Sequence, residues 1–99
     1  MHFVKSTKAF DKWLSSMKDH AGKARILVAL KRLELGQPVD CKNLRHGLYE
    51  LRVHYGPGYR VYFHQKGEVI VILLNGGHKS NQSRDIEKAK FLLKELEAS

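Results

Sequence analysis

The sequence predicts an α+β fold in one domain spanning residues 1–99: a short N-terminal strand, a two-helix hairpin, a three-stranded antiparallel meander and a C-terminal helix. The prediction rests on where the apolar period changes. Apolar residues recur at helical spacing up to Leu35, alternate from Leu48 to Leu74, and return to helical spacing after Ser80. Gly36-Gln37-Pro38 and Gly76-Gly77 mark breaks between these regimes.

Residues 2–5, HFVK, read as a short strand. Ser6 or Thr7 then offers a hydroxyl to the unpaired N–H groups of a first helical turn. Phe10, Trp13, Leu14 and Met17 form one helical stripe. A second helix covers about residues 21–35, with Ile26, Leu27, Leu30 and Leu33 inward; Gly36 ends it and Pro38 prevents its return. The strands are LYELRVHY (48–55), YRVYFHQ (59–65) and EVIVILL (68–74), joined by hairpin-length connections at Gly56-Pro57-Gly58 and Lys66-Gly67. SNQSRDIEKAKFLLKEL closes the chain as a helix, capped by Ser83, with Ile86, Ala89, Leu93 and Leu96 inward.

A three-residue loop at 56–58 sets Tyr55 opposite Tyr59, His54 opposite Arg60, Arg52 opposite Tyr62 and Glu50 opposite His64. One face then holds Leu51, Val53, Val61 and Phe63 for the core. The other gathers Glu50, Arg52, His54, Arg60, Tyr62 and His64. A two-residue turn at 66–67 puts Val69, Val71 and Leu73 on that polar face too, so the C-terminal segment or a partner is expected to cover part of it. His78 and Lys79 leave the last strand beside Arg60.

Charge narrows the function classes. Eighteen Lys and Arg against ten Asp and Glu give +8, a balance that favours a polyanionic partner. No apolar run is long enough to span a bilayer, so no membrane partner is expected. The start MHFVKSTKAF lacks the apolar core of a signal peptide, and the lone Cys41 cannot close an internal disulfide; a cytoplasmic protein is expected. The six histidines show no metal-binding spacing, and no glycine-rich nucleotide motif is present, so neither metal nor cofactor is expected. Cations with His, Lys or Tyr suit metal-free RNA cleavage, in which the 2′-OH attacks the adjacent phosphate. They equally suit phosphate binding without chemistry.

GLYELRV, GPGYRVYF, VIVILLNGGHKS and DIEKAKFLLKEL resemble the RelE/ParE toxin superfamily, and most closely its HigB-like addiction-module killer proteins, over nearly the whole chain. The resemblance implies a RelE-like fold and the toxin of a type II toxin–antitoxin system: a ribosome-dependent mRNA endoribonuclease that arrests translation. Its partners would be the ribosome, mRNA and a cognate antitoxin of helix-turn-helix type. Arg52, Arg60 and Lys79 match the family's basic site positions, and His54, Tyr62 and His78 join them as neighbours in a candidate catalytic set. Lys42, Arg45 and Arg84 are the candidate RNA-contacting cations around it. KELEAS carries no tyrosine or arginine of the kind some RelE-type ribonucleases place near the C-terminus. The same resemblance also admits a ParE-like inhibitor of DNA gyrase, and the charge alone admits a basic RNA- or protein-binding module.

Overall fold

The computed structural model describes residues 2–98. Its elements are β1 (Phe3–Ser6), α1 (Lys8–Ser16), α2 (His20–Glu34), β2 (Cys41–Arg45), β3 (Leu48–Val53), β4 (Tyr59–Lys66), β5 (Ile70–His78), a 3-10 turn (Lys79–Asn81) and α3 (Gln82–Ala98). The α+β class stands, but the sheet is larger than a three-stranded meander with one short companion. It has five strands in the order β1-β5-β4-β3-β2, with β1 parallel to β5 and the other neighbours antiparallel.

Local chemistry starts α1 and α2 where a side chain can satisfy their first N–H groups. Thr7 accepts from the Phe10 N–H at 3.1 Å and also donates to the Leu74 carbonyl, tying the start of α1 to β5. Asp19 caps α2 by accepting from Gly22 N–H at 2.9 Å, and it accepts again from the Tyr59 hydroxyl at 2.6 Å. The second bond links the helical layer to β4. The C-terminal helix does not begin at Ser83; it grows out of the 3-10 turn at Lys79.

The sheet is covered on both faces. Phe10, Ile26 and Leu33 from α1 and α2 pack with Leu51, Val61, Phe63 and their neighbours in one core. Ala89 and Leu93 of α3 close over Leu48, Tyr62 and Leu74 in a second. Trp13 lies across Gly76, where a Cβ would come within 2.3 Å of the indole.

The hairpin registers differ from expectation in instructive ways. The β3–β4 connection is five residues, 54–58, because the chain leaves the ladder at Val53. Arg52 therefore faces Arg60, Glu50 faces Tyr62 and Leu48 faces His64. This is a shift of two from the expected pairing, and an even shift leaves every side chain on its expected face. The β4–β5 turn is three residues, Gly67 to Val69, with Gly67 at φ +66°. That shift is odd, so Val71 and Leu73 turn into the first core instead of joining the polar face. A bulge between Tyr62 and Phe63 then restores the phase: Leu74 is the extra residue, and Asn75 pairs with Tyr62.

Candidate functional site

The site lies where β3 ends, β4 begins and β5 runs into the 3-10 turn. Arg52 and Arg60 are direct cross-strand partners on the face that α3 partly covers, so their Cβ atoms stand about 5 Å apart. Like charges placed this way repel, and the core-enforced register leaves them no escape.

The two guanidiniums differ in environment. Arg52 is 30% exposed, and its Nε reaches Glu50 Oε1 at 3.2 Å. Arg60 is 7% exposed. Its Nη1 donates to the Tyr59 carbonyl at 3.3 Å, its buried Nε has no hydrogen-bond partner, and no carboxylate lies within ion-pair distance among the described residues. A buried cation without a counter-charge is costly and demands a reason.

Gly58 lies between Arg60 and the start of the Lys79 side chain: a Cβ there would stand 3.5 Å from Arg60 Nη1 and 3.4 Å from the Cβ of Lys79, both ordinary contact distances. Its φ of +80° is the left-handed conformation that glycine adopts without penalty. Lys79 N–H donates to the Gly58 carbonyl at 2.8 Å, which anchors the lysine backbone beside Arg60. The Lys79 side chain is exposed.

Glu50 organises the interior side. It is fully buried and accepts from Arg52 Nε, from the Tyr62 hydroxyl at 3.2 Å and from Gln82 Nε2 at 2.6 Å. One carboxylate thus joins β3, β4 and α3. Tyr62 is completely buried; burial first, and the Glu50 charge second, push its hydroxyl well above the ordinary tyrosine range. It is a buttress for Glu50 rather than a group open to a ligand.

The other expected residues are placed as follows. His54 lies outside the ladder, exposed, with Nε2 bonded to Asp40, so it does not face Arg60. His78 is paired with Tyr59; its Nδ1 meets Ser80 Oγ at 2.7 Å and its Nε2 meets Asn81 Nδ2 at 3.1 Å. Lys42 is exposed opposite Glu50 on the edge strand β2. Arg84 is exposed, 3.9 Å from Asp85 Oδ1. Arg45 pairs with Leu48, four residues along β3 from Arg52 and about 13 Å away, so it belongs to the other end of the sheet.

Sequence reasoning set Glu50 opposite His64, as the lone carboxylate of the polar face, and missed both its three donors and Asp85. α3 brings the Asp85 carboxylate over Gly77, the residue opposite Arg60; a Cβ on Gly77 would overlap Asp85 Oδ2 at 1.9 Å. Burial raises the Asp85 carboxyl above the usual carboxylate range, against the pull of Arg84, His78 and Lys88. Asn75, turned inward by the bulge, donates to the Asp85 carbonyl at 3.0 Å. The available signal was the glycine pair at 76–77, which marks where two elements approach too closely for a side chain. Among the described residues no cluster of His, Cys, Asp and Glu is arranged to hold a metal ion, and no helix is long and apolar enough to cross a membrane.

Residues 12–96 match the sequence model of the family described as phage derived protein Gp49-like (DUF891). An uncharacterized protein of Haemophilus influenzae is 47% identical over 93 residues, covering 94% of each chain.

Proposed function

Because the chain belongs to the phage-derived Gp49-like family, and because that family is associated with toxin–antitoxin systems, we propose that this protein is the toxin of a type II toxin–antitoxin pair. It acts as a metal-independent endoribonuclease on mRNA at the ribosome. The observation that carries this reading is Arg60: a buried guanidinium with an unpaired Nε, set opposite Arg52 and beside Lys79. An RNA phosphate supplies the missing negative charge. The 2′-OH gives up its proton and bonds to the adjacent phosphorus as the P–O5′ bond breaks. The 5′-oxygen leaves protonated, giving a 2′,3′-cyclic phosphate and a new 5′-hydroxyl. Charge builds on the phosphoryl oxygens on the way, and fixed cations stabilise that state more than the starting diester. Glu50 holds Arg52 in place without neutralising Arg60. Asp85, whose raised carboxyl lies over Gly77 opposite Arg60, is the group assigned to proton transfer.

A second reading has its own observation. Tyr62 is sealed, His54 is tied to Asp40, and both ring nitrogens of His78 are already engaged. No histidine or tyrosine of the expected set is a free base at the arginines, as a gyrase inhibitor or a non-cleaving binding module would have it. Primer extension on mRNA in a reconstituted translation reaction, run beside a gyrase supercoiling assay, separates the two. The ribonuclease reading requires new 5′ ends with supercoiling unaffected. Intact mRNA with blocked supercoiling establishes the gyrase inhibitor, and intact mRNA with normal supercoiling the binding module.

A further inference from the structure

A second cationic feature lies away from the arginine pair and is not suited to phosphate. The β2–β3 turn and the C-terminal half of α3 enclose a cleft of about 400 Å³. Leu44, Leu48 and Leu93 form its apolar floor, and Arg45, Lys90 and Lys94 stand around it. Arg45 and Lys94 have no ion-pair partner among the described residues, while Lys90 reaches Glu87 at 3.6 Å. Glu97 is the acidic residue of the lining.

The turn that forms one wall is firmly held. A bulge between Asn43 and Arg45 breaks the β2–β3 ladder at Leu44. Arg45 and His46 then both take left-handed backbone, at φ 82° and 57°, which non-glycine residues adopt only at a cost. Asn43 Oδ1 accepts from the Arg45 N–H at 2.7 Å. The Gly47 carbonyl accepts from His64 Nδ1 at 2.8 Å and from the Gln65 N–H at 3.1 Å. The wall is therefore in place before any ligand arrives.

The lining chooses the occupant. Three leucines give nothing to a phosphate backbone, and the cationic rim rejects a basic chain. A second copy of this protein, at +8, carries the wrong charge. We propose that the cleft is the docking site for an acidic, amphipathic segment of a partner protein. One large aliphatic or aromatic side chain fills the leucine floor, and flanking carboxylates meet Arg45 and Lys94. An apolar centre within a charged rim gives steered association and slow release. The inference rests on the partner half of the toxin–antitoxin reading and not on RNA cleavage. A segment confined to the cleft leaves Arg60 uncovered, because Leu48 and Arg52, the cross-strand partner of Arg60, stand four positions apart on β3.

The probe is a fluorescein-labelled, helix-forming synthetic peptide with leucines one turn apart and glutamates around them, titrated into the whole protein by anisotropy. Binding is expected to weaken about tenfold in the Lys90→Glu/Lys94→Glu variant, mainly through slower association. It is expected to fall at least as far when serines replace the peptide leucines. The Lys8→Glu/Lys12→Glu variant carries the same change in net charge on α1 and is expected to bind normally. Amide shifts on peptide addition are expected at residues 44–48 and 90–97. Equal loss in both charge variants, or shifts confined to other residues, overturns the proposal. So does displacement of the peptide by a short single-stranded RNA, which would make this cleft part of the RNA site. No cleavage is measured, so failure here leaves the ribonuclease reading standing, and failure of that reading leaves this one standing.

Discussion

Replacing Arg60 by methionine is expected to stabilise the protein while removing its function. Methionine fills much of the same space without a charge. The native guanidinium is 7% exposed, makes one long hydrogen bond to the Tyr59 carbonyl, buries an unpaired Nε and faces Arg52 across the ladder. Well-paired buried ions replaced by apolar residues often give a neutral result or a gain of about 1–4 kcal/mol. Here no paired carboxylate offsets the desolvation, and one like-charge repulsion disappears. The lost hydrogen bond returns about 1 kcal/mol of cost. The expected net is a gain of about 1–3 kcal/mol, which raises the melting temperature of a domain this size by about 4–8 °C per kcal/mol. Urea denaturation followed by far-UV circular dichroism and by the fluorescence of Trp13, the sole tryptophan, measures it. A loss of more than about 1 kcal/mol would show that the guanidinium is a structural element, and the case for an anion-binding role would fail.

Glu50→Gln presents an amide NH₂ to one of three converging donors and removes the charge facing Arg52; because Arg52 is partly exposed, the expected destabilisation is about 2 kcal/mol by the same urea titration, and an unchanged midpoint would contradict the buttress role. Gly76→Ala drives a methyl into the Trp13 ring and is expected to cost about 1–3 kcal/mol, with a shifted tryptophan emission. Tyr59, whose bond to Asp19 raises it to about 12, favours folding fully below its unfolded value near 10, and that contribution is lost as pH rises through about 12. Asp19, lowered first by the same bond, contributes above its unfolded value and loses that contribution as pH falls through its depressed folded value. Thermal melts across pH are expected to show both flanks in the wild type and a diminished alkaline step in Tyr59→Phe; identical alkaline profiles would remove this linkage.

The parts of the fold that sequence revealed are those governed by parity and period. Alternation from Leu48 to His64 placed Arg52 and Arg60 on one face, and the hairpin's shift by two could not undo that. The β4–β5 turn differed by one residue, which sent Val71 and Leu73 to the opposite face. Nothing local distinguishes a two-residue turn at Lys66-Gly67 from a three-residue turn at Gly67 to Val69. Strand β2 was missed because CKNLR is an exposed edge segment whose pairing with β3 is irregular at Leu44. The doubly apolar β5 correctly signalled cover on both faces, and α3 supplies it. The arginine pair was legible for the same reason as the strands. The role of Glu50 was not, because two of its three donors come from β4 and α3, distant in sequence.

Primer extension on mRNA in a reconstituted translation reaction measures most directly what the arginines do, comparing the wild type with folded Arg60→Met and Arg52→Met. Discrete new 5′ ends with the wild type and their loss, by on the order of a hundredfold or more in rate, in both variants is the expected result. Wild-type protein that leaves the message whole, or an Arg60→Met protein that cuts as fast as the wild type, contradicts it.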